Sequence, residues 1–411
     1  MDVQTLFPPS GREGTRFCSE TWLPALPKPD ATKWYVGPEA SVRLIAFLLA
    51  ASLYPVTLHA QASPQAAVPA TSASGSDIGD RINHVLKSCA LQCTVYIPPG
   101  NYTFSVGIHL ELNTFGTYKL SGDAGAVLNY SGSGDAITTS IGNQPGASQL
   151  LIEGFQLRGN PHAASGIHLL PTNRISVRNM LIAGFSGGDG ILVEGTNSSN
   201  IYDNLITNNK NGIRLIPTVC TTVRPIRCGP SIDGYPYATN AIHVTDNQIT
   251  SNAGWAIFED AIMIGHGLSE ALNNLYMGNN LEGNGGAIYL TRSRGTVISA
   301  NYFEGSAREV VLGMLNGGGG YRAFGPVVRD NYFTTVAGTP YNIEIQNADS
   351  ALIEGNSELI GPIGPKNCFV NILASTRTWI SKNAIYQKNA YCFNGTPGTP
   401  PSGDGSFFFG H

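Results

Sequence analysis

Charged residues are scarce in this 411-residue chain: Asp, Glu, Lys and Arg make up 13% of it, and the formal net charge is −4. No basic run is present, so the composition offers nothing to a nucleic-acid partner. The 42% hydrophobic content excludes a disordered chain, and the Ala, Glu, Lys, Leu and Arg excess of a coiled coil is missing. The chain has instead 49 glycines, 25 prolines and 33 asparagines. Because Gly and Asn favour turns, we expect many short strands separated by frequent turns.

The long apolar run near the N-terminus is too short to span a membrane. It covers Leu44–Leu58, includes a proline, and is followed by the A-x-A cleavage pattern Ala60-Gln61-Ala62. We therefore predict a signal peptide over 42–62, a secreted or periplasmic protein, and no membrane segment after cleavage; the alternative is an uncleaved anchor. Val42 resembles a start encoded by GTG, and on this hypothesis residues 1–41 are an untranslated extension.

Cysteine usage agrees with export. One of the seven cysteines precedes the predicted signal, and the other six are even in number, as expected for disulfides in an exported chain. About 15 connectivities are open to six cysteines. Proximity in the sequence favours three pairs: Cys89 with Cys93, Cys220 with Cys228, and Cys368 with Cys392. Zinc is disfavoured because the chain has no C-x-x-C pair.

A repeat follows the N-terminal region. Residues 63–76 have the composition of a linker, and Asp77–Ala90 places its apolar residues on one face, which predicts a short amphipathic helix. From about residue 147, a hydrophobic residue, two variable residues and an Asn recur at a modal spacing of about 25. The Asn positions are Asn179, Asn204, Asn247, Asn280, Asn301, Asn331, Asn356 and Asn383.

A second strand motif lies between successive Asn positions. Its copies are GIHLL, GILVE, GIRLI, AIFED, AIYLT, EVVLG, NIEIQ and CFVNI. Each period therefore holds about three short strands, which indicates a parallel β-solenoid. We expect each recurring Asn to occupy a left-handed turn, with its amide bonded to the next coil. His168 and His243 alternate with apolar neighbours and are interpreted as hydrogen-bonded structural histidines.

The run from DIGDRINHVLKSCA through CTVYIPPGNY, followed by LSGDAGAVLNYSGSGDAI and the Asn coils, resembles the pectin lyase-like superfamily. The resemblance covers residues 77–393 and implies an all-β fold, a right-handed parallel β-helix of about ten coils with a short N-terminal capping α-helix. A Gly/Pro-rich tail over 394–411 follows, and we expect a monomer. Cys368 and Cys392 lie about one coil apart, where stacked residues are about 4.8 Å from each other, so a solenoid predicts their disulfide.

Three inserts interrupt the spacing, each after a second-motif strand, and are expected to form one wall of a groove. The catalytic candidates in this groove are Asp260, Glu259, His266 and Arg292. The substrate-binding candidates are Asp189, Tyr235, Tyr237, Arg294 and Arg322. Two carboxylates suit glycoside hydrolysis, whereas a base with Ca²⁺ or Arg suits polyuronide lysis. The alternative is that the adjacent acids are solvated or cap a turn.

The polygalacturonase branch of the superfamily allows a comparison of single positions. Gly265–Ser269 is similar to its G-H-G-x-S segment, and Gly188–Ile191 is similar to its first aspartate coil. The Asp pair of that branch is matched here by Asn211-Gly212, and its Arg-x-Lys segment by Ala287–Tyr289. The acid pair and the substrate-binding cations of that branch are therefore missing from their places.

The function we expect is that of a polysaccharide-active protein. The leading hypothesis is a lyase or glycoside hydrolase of acidic or plant-type polysaccharide, with Ca²⁺ as the cofactor expected of a lyase. The alternative is a non-catalytic carbohydrate-binding or surface-structural β-helix.

Overall fold

The computed structural model describes residues 65–67, 77–89, 92–112, 116–141, 149–218, 239–260, 263–264, 267–268, 271–314, 322–334, 340–359, 368–385, 391–393, 396–397 and 407–409. These residues form one α-helix, Ile78–Lys87, and three long sheets in which nearly all strands are parallel. Each coil contributes strands to sheet 1, then sheet 2, then sheet 3. The sequence-based prediction of a right-handed parallel β-helix with a short N-terminal helix is confirmed.

The three sheets run the length of the rod. Sheet 1 contains Gln65–Ala67, Gln92–Ile97, Thr117–Gly122, Gln149–Glu153, Ile175–Arg178, Asn197–Tyr202, Asn240–Thr245, Ala271–Leu272, Leu275–Met277, Ser293–Arg294, Val297–Ser299, Ala323–Phe324, Val327–Arg329, Ala348–Asp349, Leu352–Glu354, Ser375–Thr376, Thr378–Ser381 and Phe407–Phe409. Sheet 2 contains Gly100–Phe104, Ala126–Tyr130, Gln156–Arg158, Leu181–Ala183, Leu205–Thr207, Gln248–Thr250, Asn280–Glu282, Tyr302–Glu304, Tyr332–Thr334 and Ser357–Leu359. Sheet 3 contains Ile108–Leu112, Asp135–Ile141, Ser165–Leu169, Asp189–Glu194, Asn211–Ile216, Trp255–Glu259, Gly286–Leu290, Val310–Leu312, Tyr341–Ile345, Cys368–Ile372, Tyr391–Phe393 and Thr396–Pro397.

The helix Ile78–Lys87 packs against the strands of the first coil. Its N-cap Asp77 accepts a hydrogen bond of 2.7 Å from the backbone N–H of Gly79. Ile82 belongs to the same buried core as the strand residues. Gly79 is needed because a Cβ there would lie 2.0 Å from the carbonyl oxygen of Val106. The helix thus covers apolar surface at the N-terminal end of the rod, as its amphipathic pattern predicts.

Identical side chains stack along the inside of the rod. On sheet 3, Ile167, Ile191, Ile213, Ile257 and Ile288 are opposite one another in successive strands, and all are fully buried. Burying such a side chain contributes about 1.5–3 kcal/mol. Because side chains alternate between the two faces of a strand, the intervening residues of each strand face outward, and the inside row fixes which ones they are.

Asparagines form a hydrogen-bonded column at the turn from sheet 1 to sheet 2, here called the first Asn ladder. In it, each side-chain Nδ2 donates to the Oδ1 of the next coil at 2.9–3.0 Å. Each Oδ1 also accepts the backbone N–H of the preceding Asn at 3.0–3.2 Å. Its members are Asn204, Asn247, Asn279, Asn301, Asn331, Asn356 and Asn383. The predicted amide stacking is therefore present, and it satisfies backbone groups that the tight turn leaves unpaired.

Two details of this turn differ from the prediction. The ladder residue in one coil is Asn279 and not Asn280, because the sequence YMGNNL fits the repeat in two registers. The left-handed residue is the one before the ladder Asn, with φ of 54° at Asp203 and 56° at Asp246. Asn179, with φ of 51°, holds that preceding place and is not a ladder member. The left-handed residue makes the corner, and the following Asn can then point inward to the ladder.

A second Asn ladder, which the sequence analysis missed, lies at the turn from sheet 2 to sheet 3. Asn209 donates to Asn252 at 3.1 Å, and Asn252 donates to Asn284 at 2.9 Å. In the following coil, the backbone N–H of Ser306 donates to the buried carboxyl of Glu309 at 3.3 Å. Burial raises the pKa of Glu309 to about 8. This side chain is therefore protonated at neutral pH.

The ends of the rod contain more strands than the sequence indicated. Gln65–Ala67, within the expected linker, pairs in parallel with Gln92–Ile97. Phe407–Phe409, within the expected tail, pairs antiparallel with Thr378–Ser381. Among the described residues, no helix has the length and apolar character needed to cross a membrane.

Two of the three predicted disulfides are present. Cys89 and Cys93 are bonded with their Cα atoms 5.4 Å apart. Cys368 and Cys392 are bonded with their Cα atoms 5.8 Å apart, which joins the last two coils as the solenoid spacing predicts. The third predicted pair, Cys220 with Cys228, lies outside the described residues.

We expect Asn301→Ala to destabilise the rod strongly. The substitution leaves the backbone N–H of Asn279 and the carbonyl of Tyr276 without their buried partner. The free energy of unfolding should fall by about 2–4 kcal/mol, since a buried polar group left unpaired costs about 1–3 kcal/mol. Urea denaturation followed by circular dichroism measures this change. The control Asn101→Ala, at an exposed Asn of sheet 2, should stay within about 0.5 kcal/mol of the parent; equal losses would contradict the role of the ladder.

Glu309 should make the rod less stable as the pH rises. Its pKa is 4.5 as a free side chain and about 8 in the fold, so the unfolded chain ionises first. Stability from this group is fully present below pH 4.5 and is lost up to about pH 8, at roughly 1.4 kcal/mol per pH unit.

Glu309→Gln should remove that part of the pH dependence, because Gln keeps the shape and has no charge. Melting temperatures measured from pH 5 to pH 8 test this. The exposed Glu111→Gln serves as the control and should follow the parent curve. Parallel curves for Glu309→Gln and the parent protein would refute the assignment.

Candidate functional site

The outer face of sheet 3 carries the strongest concentration of chemically useful side chains. In seven of the eight second-motif strands the third residue holds one aligned position on this face, and in CFVNI the fourth residue holds it. These residues are aligned across successive strands as His168, Leu192, Arg214, Phe258, Tyr289, Val311, Glu344 and Asn371. We call this line the sheet 3 row. Its middle section combines a cation with two aromatic rings.

The three inserts each begin where a strand of sheet 3 ends. They follow the sheet 3 strands Asn211–Ile216, Trp255–Glu259 and Val310–Leu312. Part of the second insert is described, as the antiparallel pair Met263–Ile264 and Gly267–Leu268. The expectation that all three leave the same corner of the rod agrees with these positions. The candidates that they carry, Tyr235, Tyr237 and His266, lie outside the described residues.

Two predicted candidates, Asp189 and Asp260, meet at one arginine that the sequence analysis did not select. Arg214 donates from Nε to Oδ2 of Asp260 at 3.1 Å, and its Nη2 contacts the same oxygen. Its Nη1 lies 3.8 Å from Oδ2 of Asp189. The side chain of Asp260 is 23% exposed and that of Asp189 only 7%. One guanidinium therefore holds two carboxylates in different environments.

Asp189 is placed by the stacking of coils. It lies directly opposite Asn211 in the next strand, and the Nδ2 of Asn211 donates to its Oδ1 at 2.8 Å. Burial raises the pKa of Asp189, and this outweighs the hydrogen bond from Asn211 and the charge of Arg214. The site thus contains one buried carboxyl with a raised pKa and one more exposed carboxyl, both in contact with the same arginine.

An aromatic surface adjoins this pair. The rings of Phe258 and Tyr289 stack with centroids 5.4 Å apart and an interplanar angle of 7°. The ring centroids of Trp255 and Tyr289 are 4.9 Å apart, and the guanidinium of Arg214 is 5.8 Å from the centre of the Phe258 ring. Stacked rings next to paired polar groups are a typical lining of a ligand site.

A second charged group lies two coils earlier on the same face. His168 is bonded at 2.9 Å from Nδ1 to Asp135 and at 3.0 Å from Nε2 to Glu194. Burial lowers the pKa of His168, but the bonds to the two carboxylates outweigh it and raise the pKa to about 9. The ring is therefore charged at neutral pH and cross-links three coils. The hydrogen bonds predicted for His168 are therefore present, whereas His243 lies exposed on sheet 1.

Glu259 does not share a surface with Asp260, although the two residues are adjacent in sequence. Consecutive strand residues face opposite sides, and Glu259 is aligned with the inward-pointing Leu215. It is completely buried, and its Oε1 accepts hydrogen bonds from Tyr276, from Asn274 at 2.9 Å and from Thr296 at 3.0 Å. Burial raises the pKa of Glu259. This carboxyl is a buried structural group, and we remove it from the catalytic candidates.

The three predicted arginines form a separate group. Arg292 and Arg294 both approach the ring of Phe324, with guanidinium-to-centroid distances of 5.8 and 5.2 Å. Arg322, in the next coil, donates from Nε to Oδ1 of Asn347 at 3.0 Å. These side chains lie where the chain enters sheet 1, whereas Asp189 and Asp260 belong to sheet 3 and its end.

Sequence reasoning missed Arg214 and the aromatic pair although their signal was present. Aligning GIRLI, AIFED and AIYLT puts Arg214, Phe258 and Tyr289 in the same column. That column is the outward one, because its neighbours on both sides are buried in the core: Ile213 and Leu215, Ile257 and Glu259, and Ile288 and Leu290. These three residues of the column belong to the motif strands, whereas several of the predicted candidates belong to the inserts that follow such strands.

Comparisons with known proteins give a partial sequence match and several fold matches. Residues 121–317 match the family described as periplasmic copper-binding protein (NosD). No curated protein matches the sequence. Among solved structures, DFA-IIIase from Arthrobacter chlorophenolicus A6 gives a TM-score of 0.54 at 14% identity, covering 78% of this chain and 84% of that one. The same enzyme in complex with GF2 gives a TM-score of 0.55 at 14% identity, and the match covers 80% of this chain and 92% of that one. ORF18 of Geobacillus virus E2 gives a TM-score of 0.51 at 12% identity, and the match covers 87% of this chain and 66% of that one.

The described residues do not fit a copper site. Copper prefers clustered His, Cys and Met side chains. No cluster of three or more His, Cys, Asp or Glu side chains suited to a metal occurs within the described part of the chain. Its four cysteines are in disulfides, and both ring nitrogens of His168 are engaged by carboxylates. We therefore derive no metal chemistry from the family match.

The solved structures of DFA-IIIase share the fold of this chain over 78–80% of its length. The chain therefore has the right-handed parallel β-helix fold that its resemblance to the pectin lyase-like superfamily implies.

Proposed function

We propose that this protein is a carbohydrate-active β-helix that cleaves glycosidic bonds on the outer face of sheet 3. The observation that carries the proposal is the pair of carboxyl groups, Asp189 and Asp260, held by Arg214 beside the Phe258 and Tyr289 rings. Glycoside hydrolysis uses two carboxyl groups, one protonated and one ionised. Burial raises the pKa of Asp189, which suits this residue to the role of the acid, and the more exposed Asp260 is available for the role of the second carboxyl group.

In this proposal each residue has a defined role. Asp189, whose pKa is raised by burial, protonates the oxygen of the leaving sugar. Asp260 is the carboxylate that activates water or attacks the sugar. Arg214 positions both carboxyl groups, and Asn211 fixes the orientation of Asp189 through its 2.8 Å hydrogen bond. The adjoining aromatic rings offer apolar faces for stacking on sugar rings.

Related folds support a carbohydrate substrate. Solved structures of DFA-IIIase contain the carbohydrate ligands DFA-III and GF2. The sequence identity of 14% carries the fold alone, so the sugar specificity here rests on the described residues. We propose an exported protein, consistent with the predicted signal peptide over 42–62 and the matched family's description as periplasmic. Mass spectrometry of the mature N-terminus tests cleavage after Ala62, and mass spectrometry of the precursor tests the expected start at Val42.

Hydrolysis is favoured over polyuronide lysis by the same geometry. A lyase needs a cation beside the base to neutralise the substrate carboxylate. Arg214, the cation at this pair, already contacts Asp260 at 3.1 Å. Ca²⁺ would be the alternative cation for a lyase, and the described residues contain no cluster of three or more metal-ligating side chains. Lysis of acidic polysaccharide is therefore the second choice of reaction.

Asp260→Asn should abolish most of the activity without unfolding the protein. A panel of neutral and acidic polysaccharides, including fructans, is scored for new reducing ends and for the absorbance of unsaturated uronates. On an active substrate, we expect kcat to fall by about a hundredfold or more. The matched control is Asp349→Asn, which also removes a carboxylate paired with an arginine, Arg377, but on sheet 1. Equal activity of the two variants would exclude Asp260 from catalysis.

The pH dependence of activity should identify the acid. If Asp189 must be protonated, activity falls as the pH rises through its raised pKa. Asp189→Asn should lower kcat and also remove this alkaline limb of the pH profile. A variant that loses activity but keeps the alkaline limb would show that another group supplies the proton.

A non-catalytic carbohydrate-binding protein is the second candidate function. The observation that favours it is the direct ion pair between Arg214 and Asp260, which is also what a purely structural contact requires. Binding to a polysaccharide that is lost in Tyr289→Ala, with no product formed from any member of the panel, would support this candidate and refute the enzyme.

A further inference from the structure

A groove on the outer face of sheet 1 has a different chemistry from the face of sheet 3. It crosses the first five coils and has a volume of about 600 Å³. Its floor is a row of outward residues, one from each strand: Thr94, Lys119, Leu151, Ser176 and Asn200. Five strands about 4.8 Å apart give this row a length of roughly 19 Å. The groove thus suits an extended ligand that lies along the rod.

The charges that line the groove are mainly positive. Lys119, Arg174 and Arg178 are among its lining residues. The one described carboxylate beside them is Glu153, bonded to Lys119 at 2.6 Å and to Arg178 at 2.7 Å. The whole chain has a net charge of −4, so this cationic stretch contrasts with the rest of the molecule. An anionic ligand is the complementary one.

The cations are held in fixed positions with donors to spare. Glu153 holds Lys119 and Arg178 side by side, and Arg178 also donates to the hydroxyl of Tyr202 at 3.0 Å. The guanidinium of Arg178 lies 5.8 Å from the centre of the Tyr202 ring. These contacts use Nε and Nη1 of Arg178, and Nη2 is directed to none of the described residues. A preorganised guanidinium with a spare donor is suited to carboxylate or sulfate groups.

Arg174 adds an exposed charge at the rim of the groove. It lies at the start of its strand with φ of 59°, an unusual backbone angle for a non-glycine residue. Its side chain has no ion pair or hydrogen bond with the described residues and is exposed. The groove that Arg174 borders is also lined by two polar side chains of its floor, Ser176 and Asn200. These groups can bind sugar hydroxyls while the arginines bind the anion.

We propose that this groove is a second binding site, which takes the anionic groups of an acidic polysaccharide. The proposal goes beyond the cleavage proposed for sheet 3 and does not rest on it. The groove lies on another sheet, and its chemistry is that of charge recognition. A chain bound along sheet 1 is held on the rod independently of what happens at Asp189 and Asp260.

Calorimetric titration of the full-length mature protein tests the proposal. The probes are polygalacturonate oligomers, dextran sulfate and uncharged dextran, each measured at low and moderate salt. We expect an anionic probe to bind at least about tenfold more tightly than dextran, with an affinity that falls as salt rises. Binding of polygalacturonate alone identifies a carboxylate site, and binding of dextran sulfate alone identifies a sulfate site; either supports the proposal.

Two variants and a control assign the binding to the groove. Arg174→Gln together with Arg178→Gln should weaken binding of the anionic probe by about tenfold or more. Arg377→Gln removes an exposed arginine of sheet 1 near the other end of the rod and should bind as the parent does. Arg174→Gln alone gives a smaller loss and cannot disturb the fold through a described side-chain contact. Melting temperatures verify that all variants are folded.

Three results would overturn the proposal. They are failure of both anionic probes to bind, equal binding of dextran, and unchanged binding in the double variant. Asp260→Asn separates the two proposals: it should bind the anionic probe normally while losing cleavage. Loss of cleavage in Asp260→Asn with no anionic binding in any protein would leave sheet 3 as the active face and refute the groove.

Discussion

The column of buried amide hydrogen bonds in the first Asn ladder is the constraint on which the rest of the rod depends. Each Asn supplies the bonds that a tight turn cannot make with its own backbone, and each bond joins one coil to the next. From Asn204 to Asn383 each coil turns at the same place, so its strands stay in register with those above and below. The inward and outward positions of all three sheets follow from that register.

The candidate site is a product of this register more than of local sequence. Arg214, Phe258 and Tyr289 are far apart along the chain, yet they form one line because they hold equivalent positions in successive coils. Asp189 and Asn211 meet for the same reason. The same rule sends Glu259 inward while Asp260 stays at the surface. One of two adjacent acids is therefore buried and the other is partly exposed, because successive side chains of a strand point to opposite faces.

Much of the fold could be predicted from sequence because its signals are periodic. The Asn spacing, the aliphatic strands and the helix before them predicted the solenoid, its capping helix and the Cys368–Cys392 disulfide. The left-handed corner was placed one residue late, since Asp203 and Asn204 both tolerate turns and the sequence does not show which side chain points inward. The site was harder. Pairing between Arg214 and Asp260 spans 46 positions, and no local pattern marks such a contact.

The strands at the C-terminal end of the rod have a consequence for how these molecules meet one another. An uncovered parallel sheet presents unpaired backbone groups to which another chain can add without limit. Here Phe407–Phe409 and Thr396–Pro397 run antiparallel to the final strands of sheets 1 and 3. A reversed strand breaks the repeat that a second rod would have to continue, and the edge no longer matches the start of another molecule. Part of the expected C-terminal tail therefore pairs with the last strands of sheets 1 and 3, so these strand edges have backbone partners within the same chain.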